Sequence, residues 1–166
     1  NNVIHYILSS LDTDKFSVFS DLPGHTTPNG GSVPIEICVT PLKPDITILD
    51  KKNKTFNIFE LTCPLETNIK KRNQQKSDKY AHFMSDIEVY KPTLTCFEIG
   101  SRGYVSPDNH TRLKTLHQYC KPGIQLKKFE ENISSISLYS SYSIFLNRKE
   151  PQWFDPGYVN QPFMHK

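Results

Sequence analysis

The sequence predicts an α/β domain: a mixed central sheet flanked by helices. Three observations lead there. Two β-branched, aromatic and apolar runs flank a polar stretch at residues 50–54, the pattern of a β-hairpin with a five-residue connection. A basic segment at 66–84 carries apolar residues at helical spacing. A further strand-like run, 93–99, follows that helix, so the crossover sets it parallel to its neighbour in the same sheet.

Length and composition bound the answer. A chain of 166 residues with 36% hydrophobic and 22% charged content suits one domain with a sizeable core. The core is expected over about residues 1–120, with a C-terminal helix and tail over 121–166. No apolar run approaches the ~20 residues needed to span a bilayer, and no signal peptide is present, so no membrane partner is expected. The chain opens at Asn1 without methionine, which reads as a fragment of a larger polypeptide. Net charge is only +3, but five of the twenty Lys and Arg fall between residues 70 and 79, a footprint for phosphate contacts. The four cysteines are widely spaced with no C-x-x-C pair, the pattern of free thiols in a reducing intracellular compartment. His110, His117 and Cys120 match no closed zinc ligand spacing.

Taken in order, Asn2 caps a first helix whose Val3, Ile4, Ile7, Leu8 and Leu11 recur at three- and four-residue steps. Residues 1–11 contain no acid. A strand is expected at 16–19, a turn at Asp21-Leu22-Pro23-Gly24, a loop over 24–32, and a short strand over 33–39. Pro44 cannot donate to a ladder and so marks a strand start, which leaves Asp45 at the first position held by its neighbours. Glu60 sits inside the apolar run Ile58-Phe59-Glu60-Leu61, where a carboxylate requires a partner. Antiparallel strands bring the start of one beside the end of the other, so Asp45 and Glu60 are expected at one sheet edge. Two facing carboxylates need positive charge between them, and magnesium takes one or two carboxylates completed by phosphate and water.

More positive charge lies on the helix. With Arg72 at zero and about 100° per residue, Lys79 falls near −20°, Phe83 near +20°, Lys76 near +40°, Ile69 near +60° and Tyr80 near +80°. Three cations thus share the expected sheet-facing stripe, their stems packing while their heads reach the acidic edge. Glu66 suits the helix N-terminus. After a break at Lys91-Pro92 and the strand at 93–99, Gly100-Ser101-Arg102-Gly103 turns away, with Arg102 available for a phosphate or for an acid such as Glu98. Helices are expected at 108–120, with Leu113 and Leu116 inward, and at 126–147. An aromatic tail at 153–158 is expected to fold back over apolar surface.

The residues Pro44-Asp45, Glu60 and the nearby lysines resemble the PD-(D/E)xK signature of restriction-endonuclease-like nucleases. Glu60-Leu61-Thr62 departs from it, with threonine where lysine is usual. The chain is more similar to the restriction-like endonuclease domain of site-specific non-LTR retrotransposons, where the lysines lie on the following helix as K-x-x-K-Y. Lys76-Ser77-Asp78-Lys79-Tyr80 matches that run, as do Lys43-Pro44-Asp45, Ile99-Gly100-Ser101-Arg102-Gly103, the opening Asn1-Asn2-Val3-Ile4-His5-Tyr6-Ile7 and Asp21-Leu22-Pro23-Gly24. The resemblance covers roughly residues 1–120.

It implies a restriction-endonuclease-like fold with an α-β-β-β-α-β core and a magnesium-dependent DNA endonuclease, manganese substituting, that nicks target DNA for retrotransposon integration by target-primed reverse transcription. Asp45, Glu60 and the Leu61 backbone carbonyl are implied as metal ligands. Lys76 or Lys79 is the catalytic lysine, a choice the spacing leaves open. Arg72, Lys76 and Arg102 are expected to contact DNA. RNA and the reverse transcriptase of the same polypeptide are implied partners, and the nucleus the implied location. Two alternatives stand: another nuclease of the same fold, of junction-resolvase or repair type, and an inactive nucleic-acid-binding domain, which Thr62 keeps open.

Overall fold

The expected hairpin forms between β2 (Ile46–Asp50) and β3 (Thr55–Thr62), and the rest of the chain assembles on it. The protein is described here by a computed structural model covering residues 2–149, so the tail expected at 153–158 lies outside the described residues. Before the hairpin come α1 (Asn2–Ser10) and β1 (Ser17–Ser20). After it come a 3-10 turn (Glu66–Asn68), α2 (Ile69–Ser85), β4 (Lys91–Glu98), α3 (Pro107–His117) and α4 (Leu126–Asn147). The sheet runs β1-β2-β3-β4, antiparallel at the first two junctions and parallel at the third. It is a mixed α/β architecture, as expected.

Alternation along the strands sorts the core into two layers. Ile46, Ile48, Phe59 and Phe97 pack with Val3, Ile7 and Leu8 of α1, Leu113 and Leu116 of α3, and Phe129 and Ile133 of α4. On the other face Leu49, Phe56 and Ile58 meet Tyr80 and Phe83 of α2. Helix α2 therefore covers the face that carries Glu60, two residues beyond Ile58.

Several expectations are corrected. Residues 33–39 form no strand: the Pro34 carbonyl accepts from Ile37 N at 2.9 Å and Cys38 N at 3.3 Å, a tight turn. Val33 and Ile37, four apart, are buried against the α2 layer, so their apolar character reflects anchoring and not alternation. Strand β4 begins before Pro92 instead of after it; an edge strand tolerates a residue with no ladder N–H. Asp50 belongs to β2 and shortens the hairpin connection. Its Oδ1 accepts from Asn53 N at 3.0 Å and its Oδ2 from Asn53 Nδ2 at 2.7 Å, which steadies the turn. In α4 only the first half of the apolar series is covered; Leu138, Tyr142 and Phe145 are exposed. All four cysteines are free. No helix among the described residues is long and apolar enough to cross a membrane.

Candidate active site

The β2–β3 register pairs Ile46 with Phe59, so the next pair outward is Asp45 and Glu60. Each carboxylate accepts from the other strand's backbone: Leu61 N donates to Asp45 Oδ2 at 2.8 Å, and Asp45 N donates to Glu60 Oε1 at 3.2 Å. Ser20, fully buried at the end of β1, donates its hydroxyl to the Asp45 carbonyl at 2.6 Å and holds that backbone in place. The Thr62 carbonyl accepts from Ile99 N at 3.0 Å on the β4 side. Strand alternation then turns the Leu61 N–H and C=O toward Asp45.

Helix α2 supplies the countercharge. The Lys76 ammonium pairs with Glu60 Oε2, and the Glu60 side chain is 1% exposed. Burial alone would lower the Lys76 pKa, but its hydrogen bond to Glu60 and the charges of Glu60 and Asp45 raise it above the ordinary value. Lys76 therefore stays charged at neutral pH. Burial, then the charge of Glu60, push the Asp45 carboxyl up to about 6, against the bond from Leu61 N–H. Burial and the adjacent Glu60 likewise push the Tyr80 phenol up, so its hydroxyl keeps its proton. Two adjacent carboxylates thus have one ammonium in contact, and it pairs with Glu60 alone, an excess of negative charge suited to a cation.

The other expected cations lie elsewhere. The buried stripe of α2 centres on Tyr80, flanked by half-buried Ile69, Asn73, Lys76, Ser77 and Met84. On the scale of about 100° per residue that centre is near +80°, so Arg72 and Lys79 stand on its exposed flank. Arg72 NH1 bonds Gln75 Oε1 at 3.1 Å. Lys79 Nζ is 3.2 Å from the Tyr80 hydroxyl and 4.7 Å from its ring centroid. Arg102 does not take Glu98: its Nε and NH2 each lie 3.0 Å from Glu66 Oε2. Glu66 is thereby a clasp for the Gly100–Gly103 turn as well as an N-terminal acid, and the Arg102 bond holds its carboxyl below the ordinary range. Glu98 is instead held at 3.1 Å by Arg112 of α3.

Ser20, Asn73, Glu98 and Arg112 were not singled out from the sequence as parts of the site. For Asn73 a signal was present, since it falls near +100° on the same helical scale, inside the buried stripe.

Among the described residues no group of three or more His, Cys, Asp or Glu converges to hold a metal. His110 Nδ1 lies 2.8 Å from Glu130 Oε1, and His117 Nε2 is 2.7 Å from the Ile124 carbonyl. What the sheet edge offers is oxygen alone: two carboxylates with the Leu61 carbonyl beside them. That donor set fits magnesium or manganese, whose shells are completed by substrate and water, and not a closed zinc site. Thr62 Oγ1 is buried with no hydrogen-bond partner among the described residues, two residues from Glu60 on the same strand face.

A scan against protein-family models and a search of curated proteins find no match to this chain.

Proposed function

We propose that the Asp45–Glu60–Lys76 edge hydrolyses phosphodiester bonds in DNA with magnesium, manganese substituting, as a restriction-endonuclease-like domain of the non-LTR retrotransposon type. The observation that carries this reading is the convergence of two carboxylates from facing strand ends and one helical lysine, clasped through each other's backbone. The biological reading, a nick in target DNA that primes reverse transcription in the nucleus, with RNA and a linked reverse transcriptase as partners, rests on the motif resemblance.

Asp45, Glu60 and the Leu61 carbonyl would hold the cation. When bound, magnesium supplies Lewis-acid polarisation of the scissile phosphate and lowers the pKa of water. Hydrolysis adds hydroxide to phosphorus and a proton to the departing oxygen. A lysine with a raised pKa is a poor base at neutral pH, so Lys76 contributes as a fixed cation: it orients the attacking water and stabilises the charge that builds on the phosphoryl oxygens. Lys79, over the Tyr80 ring, supplies a second cation within electrostatic reach of Asp45. Exposed Arg72 and Arg102 suit backbone phosphates.

The test is nicking of supercoiled plasmid with magnesium or manganese. Wild-type protein should nick, Asp45→Ala and Glu60→Ala should lose activity by at least ~100-fold, and DNA binding should persist. Undiminished nicking in both variants would sink the site. The closed Glu60–Lys76 pair favours a second reading, a nucleic-acid-binding domain without chemistry. On that reading DNA binds and neither metal ever supports cleavage.

A further inference from the structure

Cys96 of β4 is the register partner of Glu60, so the edge strand beside the acidic pair is one strand spacing away. Helix α2 touches that strand through Asn73, one turn before Lys76. Asn73 Nδ2 donates to the Cys96 carbonyl at 3.3 Å and to Glu98 Oε1 at 3.0 Å. The Glu98 side chain is 0% exposed and fixed from the other side. Arg112 NH1 holds its Oε2 at 3.1 Å, and Asn109 Oδ1 accepts from Glu98 N at 3.0 Å. Both asparagines thus satisfy backbone groups of β4 on its outer edge, where no further strand pairs among the described residues.

We propose that Asn73 is a positioning residue: by bridging the Cys96 carbonyl to the buried, Arg112-held Glu98 carboxylate, it fixes where α2 lies along β4 and so sets Lys76 on Glu60. The geometry is a lever with a short arm. Lys76 has a long, unbranched stem and, among the described residues, one ion-pair partner, so its ammonium can be no better placed than the helix turn beneath it. Tyr80 and Phe83 hold the following turns by apolar contact, which resists separation more than sliding. Directional bonds from Asn73 to a fixed backbone carbonyl and a fixed carboxylate supply the resistance to sliding. As a role in catalysis this rests on the nuclease reading above; as a statement about Lys76 it stands alone.

Lysine acylation mapped by peptide mass spectrometry tests it without requiring activity. In Asn73→Ala, labelling of Lys76 should rise about fivefold, the change one net hydrogen bond makes in an equilibrium, with Lys79 changed less than about twofold. Asn73→Gln, which keeps the amide donor, should restore much of the protection. Unchanged Lys76 labelling in Asn73→Ala, or an equal rise at every α2 lysine, would overturn the proposal. Where wild-type protein nicks plasmid, Asn73→Ala should lower kcat about tenfold with KM within about twofold, the mark of a misplaced group. The labelling result without any wild-type nicking supports the positioning role and counts against the nuclease alone.

Discussion

Asp45 carries the least comfortable charge in the site. Its carboxyl is raised to about 6 by burial and by Glu60, so the folded protein holds that proton more tightly than the unfolded chain does. Between about pH 4 and pH 6 the native state therefore binds more protons, and this residue's contribution to stability falls as pH rises through the window. Asp45→Asn cannot ionise. In the presence of a chelator it should melt above wild type at pH 7.5, with the gap closing toward pH 4; a gap independent of pH would contradict the assignment. Lys76→Ala leaves Glu60 buried without its ammonium. Because Lys76 is partly open to solvent, the cost should be about 2–3 kcal/mol by denaturant unfolding, at the low end for a broken buried pair. Asp45 and Glu60 were legible because a proline and an apolar run mark them as acids where strands begin and end. Ser20 and Asn73 were not, because a serine or asparagine declares its partner only once distant strands are in place.

At the scale of elements, the helices and the hairpin were legible from periodicity, and their ends shifted by a few residues. The stripe of α2 was drawn too far to one side: Tyr80 and Phe83 are buried as expected, but Arg72 and Lys79, placed on the same stripe, are exposed. The turn at 33–39 passed for a strand because two of its apolar residues, Val33 and Ile37, point to one layer through a proline turn while Ile35 and Val39 stay exposed. Two of the serines of α4, a residue type that weakens a helix read by propensity, grip the 100–103 turn: Ser137 Oγ donates to the Gly100 carbonyl at 3.1 Å, and Ser134 Oγ to that of Gly103. Gly103 has φ +83°, and a Cβ there would meet the Ser134 carbonyl at 2.9 Å. Gly103→Ala should cost about 2 kcal/mol, a fall in Tm of about 4–8 °C for a chain of this size. An unchanged melting curve would mean that α4 yields at that contact.

For the whole molecule, the net charge of +3 conceals a separation. The acidic pair contacts Lys76 alone among the described cations, while Lys70, Lys71, Arg72 and Lys79 stand exposed on α2. Arg72→Ala should weaken DNA binding alike on unrelated sequences and reduce the slope of log affinity against log salt by about 1. An unchanged slope would remove Arg72 from the interface. The pairing of β2 with β3 and the parallel sense of β4 were legible from the hairpin and the crossover; the place of β1 and the contact of α2 with the free edge of β4 were not, because they depend on partners distant in the chain. The most direct measurement on the site is manganese binding by calorimetry, comparing wild type with Asp45→Asn. Binding by the wild type that the variant loses is the expected result; equal binding by both, or none by either, would contradict a cation held between Asp45 and Glu60.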